Sequence, residues 1–153
     1  MMVVLLLSIS VPVFATESTG SITITNATIN ETYSIYKLFD ATVDFDAEGD
    51  SAEAVSYRIK SDDQFFADLF GVDGKATNVF FNYNPNTGSV TKKDSVNDSE
   101  LVTYLTNLVN NGAYTPAAPS VVASNRVVKF ENIPFGYYVI TSTLGTTITV
   151  NSA

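Results

Sequence analysis

The chain has 153 residues, with 16 acidic and 8 basic side chains, a net charge of −8, and no His, Cys or Trp. Without His or Cys, serine-type triads, thiol nucleophiles and ordinary zinc sites lose their usual members. An acidic balance of this size also makes nucleic acid and anionic lipid headgroups poor partners.

Val3 to Val11 is almost wholly apolar, interrupted only by Ser8 and Ser10. It is too short for a spanning helix, which needs about 20 apolar residues. Val13-Phe14-Ala15 then supplies a small-x-small cleavage site, followed at once by the polar tail Thr16-Glu17-Ser18-Thr19. Residues 1–15 therefore read as a signal peptide cut after Ala15, although no Lys or Arg precedes the apolar run. Residues 16–153 form one domain with no membrane span, large enough to fold without staples. An exported chain without Cys needs some other source of durability, and Cys-free export is common at the surface of Gram-positive bacteria.

Ser21 to Thr25 alternates apolar and polar with β-branched residues, the period of a half-buried strand. Tyr33 to Phe39 alternates at first and then turns apolar on both sides. Val55 to Ile59 is a third alternating run. Val79 to Tyr83 and Ser89 to Thr91 flank Asn84-Pro85-Asn86-Thr87-Gly88, a cluster of turn formers whose likeness to a sorting signal is superficial. Val121-Val122 through Phe130, Tyr137 to Thr143 and Thr146 to Val150 complete a mainly β frame. Two helices interrupt it. Ser61-Asp62-Asp63-Gln64 has the spacing of a capping box, with Phe65, Phe66, Leu69 and Phe70 as the apolar face and Gly71 as the stop. The second is capped by Asn97 or Asp98, carries Leu101, Tyr104, Leu105 and Leu108 at i, i+3, i+4 and i+7, and ends at Gly112. Strands on both sides of two helices suggest a β-sandwich with a two-helix insertion. The stop at Val150-Asn151-Ser152-Ala153, directly after a strand, reads as a piece of a longer subunit.

Few residues invite chemistry. Asp44, Asp46, Glu48 and Asp50 begin like a calcium loop, but the position for the bidentate Glu holds Val55, so a solvated acidic loop accounts for them. The three Asn-x-Ser/Thr triplets at Asn26, Asn30 and Asn97 fall where turns and caps call for Asn and Thr. Carboxylates are plentiful enough for a glycosidase, yet they sit in loops and first helical turns with no apolar surround. No enzyme and no cofactor is expected.

Gly20 to Ala27, Thr32 to Asp40 with its Tyr-Lys-Leu-Phe-Asp, and Ile133 to Thr146 with its Gly-Tyr-Tyr-Val-Ile together resemble the N-terminal domain of sortase-assembled pilin shaft subunits. The resemblance covers essentially the whole mature chain. It implies an immunoglobulin-like sandwich of the collagen-adhesin B type, stacked with other pilin subunits in a homopolymer on the cell wall of a Gram-positive bacterium. Sortase would act through regions this chain does not contain; no Lys follows Lys129. Many relatives close an internal Lys–Asn amide promoted by a buried Glu. The Lys position of that pattern holds Asn26 here, and the Glu position holds Ser142. An amide carbonyl needs a protonated acid to polarise it and a neutral amine to attack it, and neither Asn26 nor Ser142 supplies these. The expectation is that no internal bond forms; Lys37 with Asn151 is the substitute pair.

Two functions compete: a structural shaft module, or a surface adhesin that binds a host or matrix ligand through the acidic 40–53 segment or the helical insertion. Exposed aromatic residues grouped on the insertion would favour the adhesin.

Overall fold

In a computed structural model, residues 19–45, 52–145 and 147–151 are described. The expected signal peptide, and Asp46, Glu48 and Asp50 of the acidic loop, lie outside them. The elements run β1 (Thr19–Thr25), β2 (Thr32–Phe45), β3 (Ala52–Arg58), α1 (Phe66–Phe70), β4 (Phe81–Asn84), β5 (Ser89–Lys92), α2 (Asp98–Asn111), β6 (Val121–Val122), β7 (Val127–Pro134), β8 (Gly136–Ser142) and β9 (Thr147–Asn151). The chain is mainly β, and every strand pair is antiparallel.

The 14-residue β2 organises the larger sheet, whose order is β4-β5-β3-β2-β8-β9. On the edge of β2 away from β8, β6 pairs at Thr32–Tyr33 and β3 pairs from Asp40 onward. β1 and β7 form a separate two-stranded ribbon. In that ribbon Gly20 faces Ile133 and Ser21 faces Glu131, so Asn132 is the extra residue of a bulge, at φ 54°. Asn tolerates this left-handed conformation better than most residues.

Alternate residues of β8 go to opposite sides. Tyr138 and Ile140 join Tyr33 and Ile35 of β2 beneath Ile22, Ile24, Val128, Phe130 and Ile133 of the ribbon. Val139 joins Leu38 and Phe39 beneath Phe66, Leu69 and Phe70 of α1 and Leu101, Leu105 and Val109 of α2. The larger sheet is therefore covered on both faces, by the ribbon on one and the helices on the other. That explains why Tyr137-Tyr138-Val139-Ile140 reads as a continuous apolar run and not as an alternating one.

The helices divide the sequence expectations. α2 follows them: Asn97 is the cap, its Oδ1 accepting from Ser99 N at 2.8 Å. Its stop residue matters for space and not for φ, which is −101° at Gly112; a Cβ there would lie 2.1 Å from the Tyr114 ring. α1 is a single short turn, and the capping box does not form. Asp63 Oδ1 takes Phe65 N at 2.9 Å, while the Gln64 amide pairs with the Thr115 backbone in both directions, at 2.8 and 3.0 Å. Two strands also differ from expectation. β4 starts at Phe81, because the Asn78 side chain captures the amides of Phe80 and Phe81. The Val121–Phe130 run is split by a turn that lets Ala123 bond back to Glu31 O at 2.9 Å. The Asn84–Gly88 turn forms as read, with Gly88 N on Asn84 O at 2.8 Å and Gly88 at φ 71°. Among the described residues, no helix is long and apolar enough to cross a membrane.

Candidate functional site

The segments 32–40 and 136–142 meet at the centre of the larger sheet. Tyr36 lies opposite Val139, Lys37 opposite Tyr138, Phe39 opposite Tyr137 and Asp40 opposite Gly136. Tyr138 is fully buried, and its hydroxyl donates to Pro134 O at 2.7 Å, fixing the chain where it leaves the ribbon for the larger sheet. The register shifts between Lys37 and Phe39, which places Leu38 and Phe39 in the same core and turns Lys37 and Asp40 toward one another.

Lys37 Nζ donates to Asp40 Oδ1 at 2.5 Å, with a quarter of the Lys side chain exposed. The pair lies in an open groove of about 550 Å³ that also holds Lys60, Asp62, Asp63 and Gln64. The Gln64–Thr115 pairing and the bond from Ala117 N to Ile35 O at 2.8 Å pin the 115–117 segment along its side. Burial pushes the Asp63 carboxyl up. The bond from Phe65 N and the charge of Lys37 oppose the rise, while Asp40 and Asp62 add to it. A carboxyl raised in the folded state favours folding fully below its unfolded value of about 3.9, and that contribution is lost as pH rises through the folded value. Asp63→Asn keeps the acceptor for Phe65 N and removes the charge. It is expected to raise the melting temperature at pH 7, with the gain shrinking in acid as the wild-type carboxyl protonates; a drop at pH 7 would contradict this.

The isopeptide candidates are spread out. Asn26 is exposed at the end of β1, at φ 62°. Ser142 closes β8 opposite Tyr33, and its buried Oγ has no hydrogen-bond partner among the described residues. Asn151 is in register with Tyr137 on the far side of β8, whereas Lys37 is in register with Tyr138 on the near side. Two strand spacings, about 10 Å, separate those backbones, and Tyr137 and Tyr138 pack on opposite faces. The two positions thus stand on strands flanking β8 on opposite sides, and the Lys37 ammonium is held by the Asp40 carboxylate. The intact mass of the mature chain should equal the sequence mass; a mass lower by one ammonia would show that an internal amide had formed. Asp44 is exposed, and no group of three potential ligands stands close enough to hold a metal among the described residues.

Sequence reasoning missed three features: the groove, the Tyr138–Pro134 clamp and Asn78. Asn78 is the only polar residue in the buried class among those described, and it ties α1, α2 and β4 together. A lone Asn in a loop gives no signal of such a role. Comparison with family models, with curated proteins and with solved structures gave no match.

Proposed function

We propose that the chain is the N-terminal stacking module of a sortase-assembled pilus on a Gram-positive surface, exported by its first fifteen residues. The observation that carries this reading is the pairing of 32–40 with 136–142, which belong to two of the three segments on which the resemblance rests, as the central strands of the larger sheet. The finer fold assignment, an immunoglobulin-like sandwich of the collagen-adhesin B type, draws support from two features. A ribbon packs across one face of a larger antiparallel sheet. A Tyr near the start of β8 also bonds back to the chain four residues upstream, the arrangement of a tyrosine corner.

The adhesin reading loses its discriminating sign. The aromatic residues of the helical region turn inward: Phe65 stacks on Tyr114 at 4.1 Å, Phe70 on Tyr83 at 4.8 Å and Phe80 on Tyr104 at 4.6 Å. None of the described aromatic side chains is in the exposed class. An antibody against residues 19–151, applied to cell-wall extracts of the source bacterium, is expected to reveal a detergent-resistant ladder of high-mass polymers that collapses when sortase is deleted. A single monomer band would overturn the proposal.

A further inference from the structure

We infer that the domain carries a built-in slack: a pull on the chain at its two ends peels β9 away first, and the departure of β9 turns the rest of the domain so that shear resists the same pull. The inference rests on the shaft reading, which puts the subunit under tension, and adds to it how the module takes that load.

The strand registers place both ends of the described chain at one pole. β1 starts with Thr19 opposite Pro134, and β9 ends with Asn151 opposite Tyr137, so each end lies at the corner where β7 passes into β8. Backbone hydrogen bonds define the far pole. There Ala27 N bonds to Arg126 O at 2.9 Å, Asn30 N to Ala123 O at 2.8 Å and Thr143 N to Thr32 O at 3.1 Å. β1 therefore runs away from the corner, and β9 runs toward it. Ladder hydrogen bonds between antiparallel strands lie across the strands. A pull from the shared corner strains them one pair after another, whereas a pull along the strands strains every pair of a ladder together.

Two strands can yield to the first kind of load, and they are unequal. β9 is the last strand of the larger sheet and is registered with β8 alone among the described strands, over five positions. β1 is registered with β7 over seven positions, and its Ile22 and Ile24 are buried in the core beneath the ribbon. The chain has no Cys to staple either strand. β9 is the weaker of the two. α2 lies over β8 as well as β9, so it stays seated when β9 leaves. The loaded end of the domain is then Ser142, at the far pole, and the line of force runs along β1 and β8. β1 has to slide past β7, and β8 past β2, each over seven registered positions at once. The freed residues 143–151 supply about 30 Å of extended chain. The turn of the domain adds one strand length, roughly 20 Å.

Single-molecule stretching of the mature chain tests this, with a Cys added at each end as the only attachment points. The trace is expected to show a first step of about 30–50 Å at low force, followed by rupture of the rest at a higher force. Moving the C-terminal handle to the exposed turn with Leu144→Cys bypasses β9. The first step should then disappear, with the rupture still at the higher force. Ile24→Val, in β1, should leave the force of the first step unchanged and lower that of the rupture. Thermal melts confirm that each variant is folded. A single rupture between the end handles, a first step that survives with the handle at residue 144, or one that weakens with Ile24→Val overturns the slack. The two proposals fail separately: a wild-type cell-wall ladder beside a single-rupture trace removes the slack and keeps the shaft reading, whereas a missing ladder removes the shaft reading itself.

Discussion

Gly136→Val is expected to destabilise the fold by about 3 kcal/mol or more, and Gly136→Ala by about 2 kcal/mol, within the range found for overpacked cores. Gly136 opens β8 opposite Asp40. A Cβ there would lie 2.7 Å from Phe39 O and 2.9 Å from both Cγ and Cδ of Lys37. The φ of Gly136 is not positive, so the requirement is one of space and not of backbone freedom. The neighbours cannot easily yield. Phe39 is 3 % exposed in the middle of β2, and its ring meets Phe81 edge-on at 5.1 Å. The Lys37 stem is restrained at its tip by Asp40. For a domain of this size, 1 kcal/mol moves the melting temperature by roughly 3–4 °C, so Gly136→Val should lower it by about 10 °C or more. A loss under about 0.5 kcal/mol for Gly136→Ala would mean that β2 and β8 do not pair in this register.

Lys37 and Asp40 show why the strands were easier to read in the sequence than the site. On a regular strand, residues three apart point to opposite faces, so nothing in the spacing suggests an ion pair. The irregularity between Lys37 and Phe39 resets that phase, and it sits where β2 passes close to Gly136 of β8, a neighbour nearly 100 residues away in the chain. Alternation in Ser21–Thr25 and the i, i+3, i+4 stripe of α2 are local signals, and both elements form where they point. The capping box of α1 is local too, yet Gln64 finds a better partner 51 residues away in Thr115. There one side-chain amide bonds a backbone N–H and a backbone C=O together, two bonds where the capping box would give it one. The separation of β8 into two cores, with Tyr138 on one and Val139 on the other, follows from its period of two. What covers each face is decided by residues far away in the chain, and the sequence pattern of β8 does not contain it.

Asn78→Ala carries the second large effect, a loss of about 3–5 kcal/mol. The Asn78 side chain is 7 % exposed and uses its whole hydrogen-bonding capacity. Nδ2 donates to Leu69 O and to the Tyr104 hydroxyl, both at 3.1 Å; Oδ1 accepts from Phe80 N at 2.8 Å and Phe81 N at 3.1 Å. Its own carbonyl accepts from Lys93 Nζ at 2.6 Å. One residue thus joins the last turn of α1, the middle of α2 and the start of β4. Alanine leaves Leu69 O and Phe81 N without partners in a packed region, at about 1–3 kcal/mol for each unsatisfied group, and opens a small cavity besides. Asn78→Asp separates the two halves of this role, because a carboxylate still accepts from Phe80 N and Phe81 N but donates nothing to Leu69 O. It should therefore cost less than alanine. A second readout does not depend on stability. Burial raises the Tyr104 phenol above its ordinary value, and the bond from Asn78 holds the rise in check. In Asn78→Ala that restraint is gone, so Tyr104 should ionise at a still higher pH in an absorbance titration of the folded protein. A Tyr104 titration unchanged by Asn78→Ala, with stability within about 1 kcal/mol of wild type, would show that the helices are joined to β4 by apolar packing alone.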